Sequence, residues 1–378
     1  MRPRTKAFVA AGSGIAAGLA GLALTALPAG ADDDPVLPAI GAEELVTSAL
    51  EARPLAFEGV AEVQNELGLP AMPAMTGTES AAELLDFDEV RVFHDGEKSA
   101  RVQVERRSSE LTFVKNTDEA WAYDSQENAA RHLTWDDADV AAAREHAGAW
   151  TADGTAAGMT DPSQAAAEII ERLRPTSDIS VDGTARVADR AAYELVLTPK
   201  PSEKTLLREI TVAIDEETRV PLRFDVFANG RSEPVLSLGF VEFEVGAQDA
   251  GLFEFTPPEG AEVETTEAGD VARAAGEHAD AAGAGQRMTT VGDGWDTVVV
   301  GEIPADAPSE GPAAAQGQDL GGQDLDGLLN QIGAPVSGEF GSGTHVQIAV
   351  GGVIITEDGR IAAGAVPQQV LVDALGAE

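Results

Sequence analysis

Five histidines, 65 carboxylates and no cysteine are the residues of this 378-residue chain whose types could carry chemistry. Their spacing argues against most of it. His94, His132, His146, His278 and His345 include no pair at the close spacing of a zinc site. Arg144-Glu145-His146 has the end of a zincin-like pattern without its leading histidine, so it reads as a polar helix face. Asp136, Asp137 and Asp139 lack the glycine and distal glutamate of a calcium loop and suit the negative first turn of a helix. Gly338 and Gly341-Ser342-Gly343 follow no strand-to-helix pattern, against a phosphate cradle or a nucleophile elbow. A dispersed triad of serine, histidine and acid stays open as an alternative, with His132, His146 and Ser342 as the residues to replace, although nothing marks a nucleophile. The expectation is a protein that is not an enzyme and holds neither metal nor cofactor.

What remains is apolar surface. Tyr193, Leu195 and Leu197, then Ile210, Val212 and Ile214, then Leu222, Phe224 and Val226 fall on alternate positions, the period of strands with one buried face. Asp215 to Thr218 offers a loose turn, and Asn229-Gly230 offers the positive φ values of a tight hairpin. The apolar phase then moves from Leu236, Leu238 and Phe240 to Val241, Phe243 and Val245, which predicts a β-bulge after Phe240 and a bent sheet. Upstream, Ala42 to Ala52 reads as a helix and Leu55 to Glu66 as a strand. A Pro/Gly/Met loop follows from Gly68 to Glu79, then five short strands in a meander between Val90 and Trp135. Two helices are expected over Asp136 to Ala147 and Pro162 to Leu173, the second opening on an Asp-Pro cap with Ile169, Ile170 and Leu173 in its apolar stripe.

Composition narrows the setting. Arg2, Arg4 and Lys6 precede an Ala/Gly/Leu stretch from Ala7 to Leu27 and then Ala29-Gly30-Ala31, so residues 1–31 read as a secretory signal, with a retained N-terminal membrane anchor as the alternative. The mature protein is expected outside the cytoplasm, secreted or in a periplasm-like envelope space. Without cysteine it has no disulfide and no acylation site of the lipobox kind. Removing three cations and no carboxylate takes the formal charge from −40 to −43, a surface that repels nucleic acid and anionic head groups. Residues 264–287 turn to Ala, Gly and acid, a linker. Residues 288–378 form a C-terminal extension with a strand at Trp295 to Val300, a short helix at Leu325 to Ile332, a strand at His345 to Val350, and a hairpin across Asp358-Gly359.

The run Tyr193-Glu-Leu-Val-Leu-Thr-Pro-Lys200, followed by Phe253-Glu-Phe-Thr-Pro-Pro-Glu-Gly260, resembles the second half of LolA-type lipoprotein carriers and MucB/RseB-type periplasmic regulators. Asp118-Glu-Ala-Trp-Ala-Tyr-Asp124 is similar to the aromatic hairpin of that superfamily. Lys98-Ser-Ala-Arg101 stands where the family has a Lys/Arg-Pro turn followed by an arginine. The likeness covers residues 41–263 and extends to actinobacterial members, whose similar tails favour a C-terminal segment that lengthens the barrel over one that makes a small appended subdomain. It implies a mainly β, α+β fold over residues 32–263, an incomplete antiparallel β-barrel under a helical lid. It also implies a monomer that binds acyl chains of a lipid or lipoprotein, with a delivery partner or a membrane-anchored regulator as further partner and no nucleic acid; the alternative it implies is a MucB/RseB-like extracytoplasmic regulator that binds an anti-sigma factor or another membrane protein. The inner-face residues that would line such a cavity are Val102, Val104, Phe113, Trp121, Tyr123, Trp135, Tyr193, Leu195, Ile210, Phe224 and Phe240, with Arg101 at the family position. Ordinary core is the other reading of each.

Overall fold

The computed structural model describes residues 35–68, 87, 89–106, 109–136, 162–270, 288–302 and 332–376. The expected signal segment, the loop with Met72 and Met75, all but the first residue of the helix over 136–147, His146, His278 and nearly all of the helix over 325–332 lie outside them.

Two sheets carry the fold. The larger has twelve strands in the order β12-β6-β5-β4-β3-β2-β1-β11-β10-β9-β8-β7 and does not close. Its strands are β1 (Ala56–Asn65), β2 (Glu89–Asp95), β3 (Ala100–Glu105), β4 (Glu110–Lys115), β5 (Glu119–Asp124), β6 (Ala129–Thr134), β7 (Ser177–Val187), β8 (Arg190–Pro199), β9 (Leu207–Asp215), β10 (Pro221–Ala228), β11 (Leu236–Val245) and β12 (Glu262–Glu267). All neighbours pair antiparallel except β12, which lies parallel to β6. The protein is mainly β, an open half-barrel with helices against it.

Sequence order explains the pairing. β2 to β6 form a meander and so do β7 to β11, while β1 pairs with both β2 and β11 and joins them. Opposite Val60 and Ala61 of β1 stand Glu242 and Phe240, so Val241 is the extra residue, where the change of apolar phase placed a bulge. That bulge keeps Phe240 and Phe243 on one face, and Phe57 packs between them at 6.1 and 5.0 Å. Gly59 lies beneath: a Cβ there would come within 2.6 Å of the Phe240 ring. The turn after Ala228 is longer than the Asn229-Gly230 dipeptide suggests. Gly230 takes a positive φ of 81°, Arg231 N–H donates to the Ala228 carbonyl, and β11 begins only at Leu236.

Helices α1 (Ala42–Glu51) and α2 (Pro162–Leu173) pack on each other and on β7. Leu45 of α1 is fully buried against Tyr193, Leu195 and Ile214, with Val46, Ile179 and Val212 around them. The β9–β10 turn is locked by Asp215. Its carboxylate accepts hydrogen bonds from Arg190 Nε at 2.6 Å and Nη2 at 2.9 Å and from Glu217 and Thr218 N–H.

The smaller sheet has six strands in the order β13-β14-β18-β17-β16-β15. They are β13 (Thr289–Val291), β14 (Val298–Glu302), β15 (Ala334–Gly338), β16 (Gly341–Ile348), β17 (Gly351–Thr356) and β18 (Arg360–Gly364), followed by α3 (Gln368–Gly376). Val298, Ile354, Ala362 and Leu371 make its core. The tail therefore builds a sheet of its own rather than lengthening the larger one, and its helix at 368–376 was not anticipated. It docks on one end of the large sheet, where the Ala365 carbonyl accepts from Leu206 N–H and Thr205 Oγ1, and Trp295 Nε1 donates to Ser177 Oγ at 2.7 Å. The large sheet also continues to Glu267, so the domain boundary expected at residue 263 falls inside β12.

Candidate functional site

Cross-strand partners share a sheet face, so the registers sort the expected cavity residues. On β1 to β4, Ala61 stands opposite Val90, Val90 opposite Val104, Val92 opposite Val102, and Val102 opposite Phe113. On the other side of β1, Ala61 stands opposite Phe240, Leu238 opposite Phe224, Phe224 opposite Val212, Val212 opposite Leu195, and Ile214 opposite Tyr193. Val102, Val104, Phe113, Tyr193, Leu195, Ile210, Phe224 and Phe240 therefore lie on one continuous apolar face.

Trp121 and Tyr123 do not. Trp121 stands opposite Val114 and Val114 opposite Arg101, while Tyr123 stands opposite Thr112, one residue out of phase with Phe113. They lie on the other face with Arg101. There the segment after β11 crosses them: Arg101 Nη1 donates to the Leu252 carbonyl at 3.2 Å, Asn116 Nδ2 donates to the Phe253 carbonyl, and Phe255 lies 5.5 Å from Trp121 and 5.8 Å from Tyr123. The Phe253 to Gly260 run is thus a strap that ends by pairing as β12, and Arg101 is one of its fasteners. Beneath it His132 stacks on Trp121 at 3.8 Å and meets Glu119 at 2.7 Å. Burial alone would raise the Glu119 carboxyl, but hydrogen bonds led by that of His132 outweigh it and hold the group below its ordinary range. Trp135 sits past the end of β6, where its Nε1 donates to the Thr117 carbonyl and the Lys115 amine lies 5.9 Å from its ring.

The residues that share the apolar face differ in what covers them. Tyr193 and Leu195 are core beneath α1, and Ile210 and Phe224 pack against a cluster that includes Leu67, Val226, Val235, Ala349 and Val350. Around β1 the face opens into a cavity of about 290 Å³. Its floor is Phe57, Ala61, Val90, Val92, Val102, Leu238 and Phe240. Its rim is Ala49, Ala52, Arg53, Pro54 and Leu55 at the end of α1, and Thr218 to Pro221 from the β9–β10 turn. Of the expected cavity residues only Val102 and Phe240 line it. Val104 and Phe113 continue the same face toward β4, half-buried. Sequence reading missed the rest of the lining: the rim residues, the floor residues Phe57, Ala61, Val90, Val92 and Leu238, Phe87, and His94, whose ring stacks on Phe57 at 5.9 Å.

The chemistry available is that of a greasy surface with a small polar edge. Among the described residues no group of histidines and carboxylates could hold a metal ion. His132 is engaged with Glu119 on the far face and Ser342 belongs to the other sheet. Among the described residues no helix is long and apolar enough to cross a membrane.

No protein-family model and no curated protein matches the chain. Among solved structures, it is similar to MucB of Pseudomonas aeruginosa in the MucA/MucB complex, with 14% identity over 88% of this chain and 94% of that one and a TM-score of 0.41. It is also similar to an uncharacterized conserved protein of Thermus thermophilus, with 14% identity over 60% of this chain and 99% of that one and a TM-score of 0.34. A LolA superfamily protein of Nitrosomonas europaea matches with 10% identity over 57% of this chain and 99% of that one, at 0.22.

Proposed function

We propose that this protein is an exported, non-enzymatic carrier that shelters the hydrocarbon part of a lipid or lipidated partner in the groove between α1 and the β1 region of the sheet. The observation that supports this reading is the cavity of about 290 Å³ floored by apolar side chains and open at a loop-built rim. That size is close to the lower end of ligand pockets, roughly 300–1,000 Å³. Val104 and Phe113, half-buried on the same face, extend the apolar track for a longer chain.

The energetics are adequate. Each methylene moved from water into such a site gains about 0.8 kcal/mol, so a chain of about fourteen gains roughly 11 kcal/mol before ordering costs. Several kcal/mol go to that ordering, which leaves micromolar or tighter holding. Release then needs only movement of the rim, with no covalent step.

Native mass spectrometry of protein expressed with its leader and purified without detergent tests this. A population carrying extra mass that organic solvent removes and that fragments as lipid is the expected result. Bare protein throughout, together with no saturable uptake of a neutral dye such as Nile red, would remove the proposal.

A further inference from the structure

We infer that the groove's ligand is an amphiphile with an anionic end, a carboxylate or a phosphate, which pairs with Arg53 and Arg219 at the rim; the inference rests on the carrier reading above. Three observations carry it.

The first is the charge of the lining. The chain has 65 acidic residues against 25 basic ones, yet among the described residues that line the cavity there is no carboxylate, and there are two arginines. The second is that no carboxylate neutralises these arginines. Elsewhere arginines are spent on carboxylates, as in Arg91 with Glu89, Arg190 with Asp215, Arg223 with Glu194, and Arg360 with Asp358. Arg53, exposed just past α1, and Arg219 form no ion pair among the described residues. In so acidic a protein, cations without a carboxylate partner beside an apolar groove are placed to receive an anion that arrives with the ligand.

The third is that Arg219 is held in place. Its φ of 63° is a left-handed conformation that strains any residue other than glycine and persists only where the surroundings enforce it. They do: the turn hangs on Asp215, one guanidinium nitrogen donates to the Glu216 carbonyl, and the guanidinium lies 5.4 Å from the Tyr193 ring. Its Nη1 is taken up by the Asp215 and Glu216 carbonyls, which leaves the Nε and Nη2 N–H groups for two oxygens of one anionic group. Tyr193 thereby acts as a positioning residue for the head group and not as part of the hydrocarbon track.

The test is displacement of Nile red by tetradecanoate, tetradecyl phosphate and tetradecanol from the wild type, Arg53→Gln, Arg219→Gln and the double variant. Each anion is expected to bind about tenfold more tightly than the alcohol, and the double variant to lose that advantage with tetradecanol affinity unchanged. The tighter of the two anions tells a fatty-acid from a phospholipid source. If the alcohol matches both anions, or the preference survives in the double variant, the head-group assignment is wrong while the carrier reading stands. If none of the three displaces dye, both fall. Arg53→Gln lies on an exposed loop, so a weaker preference in that variant alone decides the matter should Arg219→Gln fail to fold.

Discussion

The two meanders of the large sheet use the same alternating pattern to opposite ends. In β7 to β10 the shared apolar face is largely consumed by the protein itself: Leu45 of α1 seals Tyr193, Leu195 and Ile214, and the second sheet closes over the end near Val226 and Val235, while Leu238 and Phe240 of β11 pass to the groove floor. In β2 to β6 the equivalent face stays half-buried at Val90, Val102, Val104, Leu111 and Phe113, while the opposite face is packed away, with Thr112 at 3% and Val114 at 2% exposure near the strap. A core and a binding surface can be written in one two-residue period. What separates them is which face the rest of the chain crosses.

The comparison is broken most severely at Asp215. Asp215→Asn removes the charge that anchors Arg190 inside the filled meander, and unfolding in urea is expected to show a loss of about 3 kcal/mol. Leu45→Ala should lose a similar amount, about 2–4 kcal/mol, because it empties a fully buried site under α1. Trp121→Ala comes next, about 2 kcal/mol from the lost stack on His132 and contact with Phe255, and it should leave Nile red affinity unchanged. Val102→Ala is the smallest in stability, below about 1 kcal/mol for a half-buried side chain, and should weaken dye binding instead.

Acid should act on the filled meander through Asp215. Burial alone would raise the Asp215 carboxyl, but the hydrogen bonds of Arg190 and Thr218 outweigh it and keep the group below its ordinary value of 3.8. A carboxyl depressed in the folded state contributes stability that is whole above that value and is lost as pH falls through the folded one. Asp225 opposes it: burial, only partly offset by Ser237 and Arg223, raises that carboxyl, so its contribution grows on protonation. The urea midpoint of the wild type is expected to drop below about pH 4, and Asp215→Asn to flatten that drop.

Much of this was legible in the chain. Alternation with polar partners fixed the strands from Tyr193 to Val226, and the phase change after Phe240 marked the bulge, because one large side chain out of step has no other physical reading. Trp121 and Tyr123 misled for the opposite reason. Ala120, Trp121, Ala122 and Tyr123 are apolar in both phases, so parity is silent there and only the hairpin register with Leu111 and Phe113 assigns the faces. The partner of those aromatics, Phe255, lies some 130 residues away in sequence, beyond any periodicity. β12 was hidden because Glu262–Glu267 is exposed on both faces and its pairing with β6 needs no apolar pattern. The rim of the groove comes from two loops whose arginines and prolines carry no repeat, so its site was not readable before the chain was folded.

Nile red titration of the wild type, Val102→Glu and Trp121→Ala tests the central claim, that the open face running from β11 across β1 to the first meander holds the ligand and the strapped face does not. The wild type and Trp121→Ala should saturate with the same affinity, while Val102→Glu, which sets a carboxylate on the groove floor, should bind at least about tenfold more weakly. Equal binding by Val102→Glu and the wild type, or loss of binding in Trp121→Ala with the fold intact, would contradict it.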